Sequence, residues 1–593
     1  MIHSVTSDLE TFKTLTFGPG LNIILADKTA ESTDRQTRNG AGKSSFVELI
    51  HFIYGANAGP KSIFRSAELG PHTFEAKGDI GGHVVTVSRS GAKPSEIRIQ
   101  GATEHWPVRP KLDRKTGDLI PSQTNYLILS QTNWRQVLGA LLFDLRASEE
   151  ARGRFGPTFR SLFPYFARRQ NSNAFTQPAR QSGDQPNWNQ QVAISYLLGL
   201  DANIPQRFQE ARDQEKALKE LRKAAEQGSL GNFYGSAAQF RTRLTVVQDK
   251  VDRLRKQIAT FNVVPEYTAL EEEASDITRT ISIVNNDNLI DREFVTQLTA
   301  ALESEAPPAL TNVEKLYNEA GVVLPGTVGK RFEDVFEFHK AIVSNRRAHL
   351  TGEIEAAQKR IKEREATRTG QDRRRREIMG ILQSGGALEH YTRMQEELGR
   401  TEAEAEALRQ KLDTARKIES TRTQLKGERV RLRQALQSDH QERSTIVKEA
   451  TLVFENLSNA LYEKAESLII GDSDNGPTFD VNIDSHRSKG ISNMQIFCFD
   501  VMLAELATKR GLGPGFLIHD SHLFDGVDER QVAKALQLGA SRAARVGFQY
   551  IVTPNSDALP KDGFQDDFDV WQHVNPTRLT DKDESGGLFG LHF

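Results

Sequence analysis

The alternation of apolar and polar positions divides the chain into three parts. Residues 1–205 mix short apolar runs typical of strands with helix-like segments, and this globular pattern returns at 456–593. The residues between them, 206–455, are rich in Glu, Lys, Arg, Gln and Ala, which favour helices. Two globular parts around one helical excursion predict a single domain that is split in sequence.

The helical part has the periodicity of a coiled coil. Apolar residues follow the seven-residue and 3–4 spacing at Leu408, Leu412, Ala415, Ile418, Leu425 and Leu432. Glycines interrupt the pattern at 380–386, which predicts the turn where an antiparallel coil folds back. The descending arm, 390–455, is much shorter than the ascending half, 206–379. The excess predicts an extra helical subdomain near 262–335, and one long extended coil is the alternative.

The globular parts carry strand and helix signals of their own. Alternating runs broken by glycines predict an antiparallel β-layer in the first part. In the last part, apolar runs predict two buried strands and an amphipathic helix. The predicted strands are Phe74–Asp79, His83–Arg89, Glu96–Gln100, Phe516–Asp520 and Gln549–Val552, and the predicted helix is Met494–Thr508.

Composition narrows the class of protein. The 593 residues carry a net charge of −2, from 77 basic and 79 acidic side chains, which argues against a uniformly basic coat for nucleic acid. The sequence contains no run of eighteen apolar residues, so it predicts no membrane span, and residues 1–10 lack the features of a secretory signal. The single cysteine, Cys498, lies in an apolar run and is predicted to fill the core. We therefore expect a reduced, cytoplasmic protein that is not bound to a membrane.

A glycine loop before a helix predicts a phosphate-binding site. The loop consists of Asn39, Gly40, Ala41, Gly42, Lys43, Ser44 and Ser45. It follows the apolar run Leu21–Ala26 and precedes the helical run Phe46–Tyr54, which is the order of a P-loop. Its glycines let backbone N–H groups cradle phosphate, Lys43 reaches the β- and γ-phosphates, and Ser44 binds Mg²⁺. The pattern departs from the usual one because Thr37 replaces the first glycine and an insertion, Asp27–Gln36, precedes the loop.

A second motif supports a nucleoside triphosphate as the ligand. The apolar strand Phe516–Asp520 ends in an acid, which is a Walker B pattern. Asp520 is placed to hold Mg²⁺ through water, opposite Ser44. The sequence therefore predicts a nucleoside triphosphate and Mg²⁺ as cofactors of an α/β domain.

Together these motifs resemble the SMC/RecN/SbcC-like branch of the ABC ATPases, in which an antiparallel coiled-coil arm splits the P-loop ATPase head. The ending of the chain is similar to a bacterial subfamily whose C-terminal piece is known only as a domain of unknown function. The resemblance implies a Q-loop glutamine at Gln170 that senses Mg²⁺ and γ-phosphate. It also implies a degenerate signature motif at Ser488 and Gly490, which contacts the partner subunit's nucleotide, and a D-loop acid at Asp528.

Two positions depart from the family pattern. The family has a Glu directly after the Walker B Asp as the base that activates water, and here this residue is Ser521. His522 and Asp525 are the candidate replacement bases, and an ordinary loop role is the alternative for each. The family's switch histidine is replaced within Thr553–Asn555, where Asn555 is the candidate contact to the γ-phosphate.

The resemblance implies two alternative functions. In the first, two heads of a homodimer sandwich ATP and move the arms on DNA, in genome maintenance or in defence against phages and plasmids. In the second, ATP gates a sensor or scaffold that hydrolyses slowly, because of Ser521, and recruits an effector protein. A nucleotide kinase or GTPase with an appended coil explains the P-loop alone and leaves the later motifs unexplained.

DNA binding rests mainly on the resemblance. The cluster Arg373–Arg376 lies near the predicted turn, and such clusters neutralise phosphates without sequence preference. No aromatic side chains are interleaved there to stack on bases. The alternative is a solvated helix face whose arginines pair with nearby Glu.

Overall fold

The structure is a computed structural model that forms two compact units. It describes residues 1–27, 42–103, 106, 127–145, 153–226, 235–261, 265–304, 326–382, 388–462, 466–481, 489–565, 568–580 and 585–591. The head unit comprises Met1–Glu210, Val323–Asp334 and Arg429–Phe593, and the helical unit comprises Ala211–Val322 and Val335–Glu428.

The described elements follow one another along the chain as mixed strands and helices, with the longest helices in the middle. The strands are β1 (Ile2–Ser7), β2 (Leu15–Thr16), β3 (Gly20–Ile23), β4 (Ala26–Asp27), β5 (Thr73–Ile80), β6 (His83–Ser90), β7 (Glu96–Gly101), β8 (Leu127–Ser130), β9 (Leu468–Ser473), β10 (Gly476–Val481), β11 (Phe516–Asp520), β12 (Gln549–Thr553) and β13 (Leu579–Thr580). The helices are α1 (Lys43–Ile53), α2 (Gln131–Phe143), α3 (Phe159–Leu162), α4 (Asn187–Leu198), α5 (Asn203–Glu226), α6 (Ala237–Ala259), α7 (Pro265–Ser304), α8 (Gly326–Leu382), α9 (Leu388–Glu442), α10 (Ser444–Leu461), α11 (Lys489–Lys509) and α12 (Glu529–Val546).

Two sheets organise the head unit. A six-stranded sheet has the order β2-β1-β5-β6-β7-β8, and its neighbours pair antiparallel, as the alternating runs predict. A three-stranded sheet has the order β11-β12-β3 and is parallel throughout. The smaller sheet joins a strand from the start of the chain to two strands from its end. The predicted strands of both globular parts are therefore confirmed.

Helix α11 differs from the prediction. The sequence predicts an amphipathic helix, but nearly every side chain of α11 from Asn493 to Ala507 is buried. The helix contacts α4, α10, α12 and β11, so it has protein on several sides rather than on one. Cys498 is buried and free, which confirms its predicted place in the core.

The helical unit is built from antiparallel helix pairs. Helices α6 and α9 pack through one cluster that includes Phe240 and Leu412 and another that includes Leu254 and Leu398, so they run in opposite directions. Helices α7 and α8 likewise pair Glu273 with Arg374 and Asp291 with Arg360. Leu408, Leu412 and Ala415 are buried in these contacts, which confirms the periodicity at those positions. No helix among the described residues is both long enough and apolar enough to cross a membrane.

The two remaining sequence predictions for this region fall partly outside the described residues. Helix α8 continues through Gly380 and ends at Leu382, so the first part of the turn predicted at 380–386 is helical. Residues 383–386 lie outside the described residues, and α9 begins at Leu388. The segment 262–335 contains α7, which packs against the end of α8 through Ile277, Ile281 and Ile378. Its residues 305–325 lie outside the description, so a separate subdomain stays a prediction.

Candidate functional site

The carboxyl ends of parallel strands meet at one edge of the smaller sheet. Asp520 ends β11 and pairs in register with Thr553 at the end of β12, while β3 runs parallel on the other side. In open α/β sheets, ligands bind outside this edge. Helix α1 begins close by, because Ser44 in its first turn reaches Asp520.

Gly42 caps the N-terminus of α1 in a conformation that requires glycine. Its φ is +84°, in the left-handed region that side chains disfavour. A Cβ at this position would also lie 2.8 Å from the Cβ of Leu588. The first N–H groups of a helix lack intrahelical partners and carry a positive partial charge, so this terminus is suited to bind an anion.

Two predicted oxygen ligands, Gln170 and Asp520, converge on the hydroxyl of a third, Ser44. Ser44 Oγ donates to Asp520 Oδ2 at 2.6 Å and lies 3.4 Å from Gln170 Oε1. The other oxygen of Asp520, Oδ1, accepts from Thr553 Oγ1 at 3.2 Å and from Ser521 Oγ at 3.1 Å. Asp520 is 1% exposed, so these hydroxyls replace the water that a buried carboxylate loses.

This set of ligands fits Mg²⁺. A hydroxyl, an amide oxygen and a carboxylate are hard oxygen donors, which Mg²⁺ prefers, and Mg²⁺ typically keeps several waters when it bridges a protein to phosphates. The described residues contain no group of three or more His, Cys, Asp and Glu side chains placed to hold a metal ion. Ser44, Gln170 and Asp520 are the side chains that could hold the ion together with the phosphates of a ligand.

Lys43 and Asn555 meet beside this cluster. Lys43 is 6% exposed, and its Nζ donates to the Asn555 side-chain oxygen. Asn555 lies just beyond β12 and bridges to Ala26, at the end of the chain segment that enters the glycine loop. The residue that stands at the switch position is thus in contact with the phosphate-loop lysine.

The two candidate bases, His522 and Asp525, contact each other. They lie at the turn Ser521–Phe524 that follows β11, with His522 Nδ1 2.9 Å from Asp525 Oδ2. The imidazole also packs edge-on against Phe175, at 5.5 Å between ring centroids. Lys489 Nζ lies 3.3 Å from the same oxygen of Asp525.

The start of α11 packs against this turn. A Cβ on Gly490 would lie 2.4 Å from the carbonyl oxygen of Gly526, so only glycine fits. Asn493 Nδ2 donates to the carbonyls of His522 and Asp525, at 3.2 and 3.1 Å. The predicted signature glycine is therefore held against the turn that carries both candidate bases.

The structure describes only some of the remaining predicted site residues. Asp528 is the N-cap of α12 and accepts from the Arg530 N–H at 3.0 Å, which leaves its D-loop role a prediction. Ser45 lies in the first turn of α1. Asn39, Gly40, Ala41 and Ser488 lie outside the described residues.

Two sets of charged contacts beneath the site are missed by the sequence reasoning. Arg169 forms a two-pronged ion pair with Glu48 of α1, directly before Gln170. Arg168 pairs with Asp500, 332 residues away, and both side chains are fully buried. The signal for the second set is an acid in the middle of the apolar run 496–503, since a buried charge requires a partner.

The buried histidine of α1 gives a pH prediction. His51 Nε2 donates to the carbonyl of Ala167 at 2.7 Å, and burial, together with the charge of Arg169, lowers its pKa to about 3. Between about pH 6.5 and pH 3 the unfolded chain takes up a proton here that the folded chain does not. We therefore expect the free energy of unfolding to decrease as the pH is lowered. His51 should account for about 2 kcal/mol of the decrease between pH 7 and pH 5.

Denaturant unfolding at pH 7 and pH 5 measures this contribution. In His51→Gln, whose amide retains a donor for Ala167, the loss of stability on acidification should be smaller by that amount. His83→Gln, at an exposed position of β6, is the matched control. An equal loss in His51→Gln and in the unmodified chain would show that His51 does not titrate as described.

Two family models match parts of the chain. Residues 457–593 match an uncharacterised protein conserved in bacteria (DUF2326). Residues 294–419 match C-terminal domain 10 of the ABC-three component (ABC-3C) systems. The second match supports a relationship to the SMC-like ABC ATPases.

One relative and two solved structures align over most of the chain. The uncharacterized protein YydD of Bacillus subtilis (strain 168) is 23% identical over 572 residues, which cover 92% of this chain and 91% of that protein. An Smc head domain with a coiled coil and joint from Pyrococcus yayanosii is 12% identical, with a TM-score of 0.33 and coverage of 93% and 92%. An Smc head domain from Pyrococcus furiosus, with an extended coiled coil bound to the C-terminal domain of ScpA, is 11% identical, with a TM-score of 0.29 and coverage of 95% and 94%. TM-scores this low do not establish a shared fold.

Proposed function

We propose that the chain binds ATP with Mg²⁺ in the head unit and acts as an SMC-like ABC ATPase. The observation that carries the proposal is the convergence of Ser44, Gln170 and Asp520 beside Lys43. These residues come from the start of the chain, from its first third and from its end. Chain folding brings them together at an edge where parallel strands end and a helix begins, an arrangement that commonly binds phosphate ligands.

Each of these residues has a distinct task toward the nucleotide. Lys43 neutralises the phosphates, and the N-terminus of α1 adds its partial positive charge. Ser44, Gln170 and Asp520 hold Mg²⁺, which supplies positive charge at the transferred phosphoryl group. Asn555 positions the Lys43 ammonium and is the proposed contact to the γ-phosphate.

Pairing of two heads over ATP is the second part of the proposal. The tight packing of Gly490 against Gly526 and the hydrogen bond from Asn493 to the carbonyl of Asp525 hold the start of α11 against residues 521–528. In the ABC ATPases that the sequence resembles, these two segments complete the partner's nucleotide site. The proposed partner is therefore a second copy of this chain.

Slow hydrolysis by an ATP-gated sensor or scaffold is the second candidate function. It is favoured by Ser521, whose hydroxyl donates to Asp520 where the family has a carboxylate base. A serine hydroxyl bonded to an acid is a poor base, so water activation falls to His522 and Asp525 or is lost. In this form, the paired heads recruit an effector protein.

Two arginines of the cluster proposed to contact DNA already have acidic partners. Of the cluster Arg373–Arg376, Arg374 is paired with Glu273 at 2.7 Å and Arg375 lies 3.7 Å from Asp372. Arginines that already have acidic partners have less charge to offer to phosphates. Movement on DNA, and a role in genome maintenance or antiviral defence, therefore follow from the resemblance.

Steady-state ATP turnover with and without linear duplex DNA separates the two functions. If ATP drives arm movement on DNA, turnover should depend on Lys43 and should rise when DNA is added. Lys43→Ala serves as the blank. If the chain is an ATP-gated sensor or scaffold, it should bind ATP tightly, hydrolyse it negligibly and sediment as a dimer only when ATP is present. A dimer that persists unchanged when ATP is removed would exclude this function.

A further inference from the structure

A chain of four buried side chains lies directly beneath the proposed Mg²⁺ ligands. Arg168 donates through Nε and Nη2 to the two carboxylate oxygens of Asp500, both at 2.6 Å. His519 Nε2 lies 3.3 Å from Asp500 Oδ2, and His519 Nδ1 lies 3.0 Å from the Tyr550 hydroxyl. All four side chains are fully buried.

The hydrogen bonds along this chain indicate the tautomer of His519. Both oxygens of Asp500 accept from Arg168. The imidazole is therefore placed to donate from Nε2 to Asp500 Oδ2 and to accept at Nδ1 from the Tyr550 hydroxyl. Each polar atom in the chain has a partner, as buried networks require.

The position of Asp500 joins three segments of the proposed site. Arg168 lies two residues before Gln170, and its guanidinium also donates to the carbonyls of Ala174, Pro178 and Arg180, which shapes the loop after Gln170. His519 directly precedes Asp520. Asp500 itself lies on α11, the helix that opens with Lys489 and Gly490.

The backbone reinforces this connection. Ile518 N–H donates to the carbonyl of Phe166 at 2.8 Å, and Ala167 bridges parallel to Ile518. The segment that leads to Gln170 thus extends the sheet beside β11. A shift of this segment would change the distance between Gln170 and Asp520, and the Asp500 network opposes such a shift.

We propose that Asp500 and His519 are positioning residues that fix the separation of the Mg²⁺ ligands Gln170 and Asp520. The inference rests on the proposed function. The network touches neither phosphate nor metal, so its effect is on the geometry of the ligands. Partners of this kind, one step behind the ligands, are typically worth 10–100-fold in metal affinity.

His519 is the residue to change, because it joins Asp500 to the end of β11, directly before Asp520. Removing Arg168 or Asp500 would leave an uncompensated buried charge and risk the fold. His519→Leu leaves that ion pair intact, whereas His519→Gln retains an amide donor for Asp500. Tyr550→Phe is a milder second variant, which removes only the hydroxyl and keeps the ring that packs against Gly539.

The test titrates Mg²⁺ at fixed N-methylanthraniloyl-ATP and follows the fluorescence of the bound nucleotide. We expect His519→Leu to raise the Mg²⁺ concentration at half-maximal signal about 10-fold. We expect a smaller shift in Tyr550→Phe, a midpoint near that of the unmodified chain in His519→Gln, and unchanged Mg²⁺-free binding in all three. A merely structural loss would lower the amplitude without moving the midpoint.

The outcomes separate this inference from the proposed function. If the unmodified chain binds no labelled ATP, the proposed function fails. If it binds, but His519→Leu and Tyr550→Phe both titrate at the unmodified midpoint, the positioning role is overturned while the nucleotide site stands. Thermal unfolding of each variant identifies any that fail to fold, and Tyr550→Phe then carries the test alone.

Discussion

Replacing Lys43 with Ala is expected to weaken ATP binding by about 30-fold or more. The ammonium is nearly buried, contacts Asn555 and stands at the N-terminus of α1, where the phosphates are proposed to lie. Truncating one partner of a buried, hydrogen-bonded charge pair costs about 2–5 kcal/mol, which corresponds to a factor of about 30 to several thousand. Equilibrium titration with labelled ATP measures the change in Kd.

Lys61→Ala is the matched control for this substitution. Lys61 is an exposed lysine of the same head unit, so its removal changes the net charge equally without touching the site. We expect its Kd to equal that of the unmodified chain. Equal affinities for Lys43→Ala and Lys61→Ala would place the nucleotide elsewhere or exclude it.

Replacing Ser521 with Glu is expected to raise ATP turnover by about 10²–10⁴-fold, which is the usual contribution of a positioned general base. Ser521 begins the turn after β11 and contacts Asp520, the proposed partner of Mg²⁺. A Glu at this position restores the carboxylate that the ABC ATPases place directly after the Walker B Asp. Steady-state phosphate release at saturating ATP measures the gain.

Ser521→Gln separates the base from the change in side-chain size. Glutamine has the length of glutamate but cannot accept a proton from water, so its turnover should stay at the level of the unmodified chain. If Glu and Gln variants turn over equally, the missing carboxylate does not limit hydrolysis. The His522–Asp525 pair then becomes the base to test, by His522→Ala.

The parts of the site that the sequence predicts are those with local signals. A strand that ends in an acid and a glycine loop before a helix are short-range patterns, and they predict Lys43, Ser44 and Asp520, which the structure places at the sheet edge. Gln170 has no such local pattern and is expected only from the family resemblance, and it lies beside Ser44. Alternating apolar residues likewise predict strands such as β5 and β6, because one face of each is buried.

The parts that the sequence does not predict depend on distant partners. In the sequence, Asp500 is a single acidic residue within an apolar run. No residue near it in the sequence indicates that its ion-pair partner is Arg168 rather than another basic residue. Helix α11 is misread as amphipathic because its polar residues, such as Asn493 and Glu505, suggest a solvent face. In the structure Glu505 is 1% exposed and pairs with Arg542 and Arg545 of α12, so ion pairs replace water around its carboxylate.

Hydrogen exchange with and without Mg²⁺–ATP tests the central claim most directly, because it reports where the nucleotide binds. The first amides of α1 lack intrahelical acceptors and are proposed to bind phosphate. We predict that saturating Mg²⁺–ATP slows exchange at residues 43–46 and around Asp520 in the unmodified chain and in Lys61→Ala, but not in Lys43→Ala. Unchanged exchange at these amides, or protection confined to another region, would contradict a nucleotide site at the end of the parallel sheet.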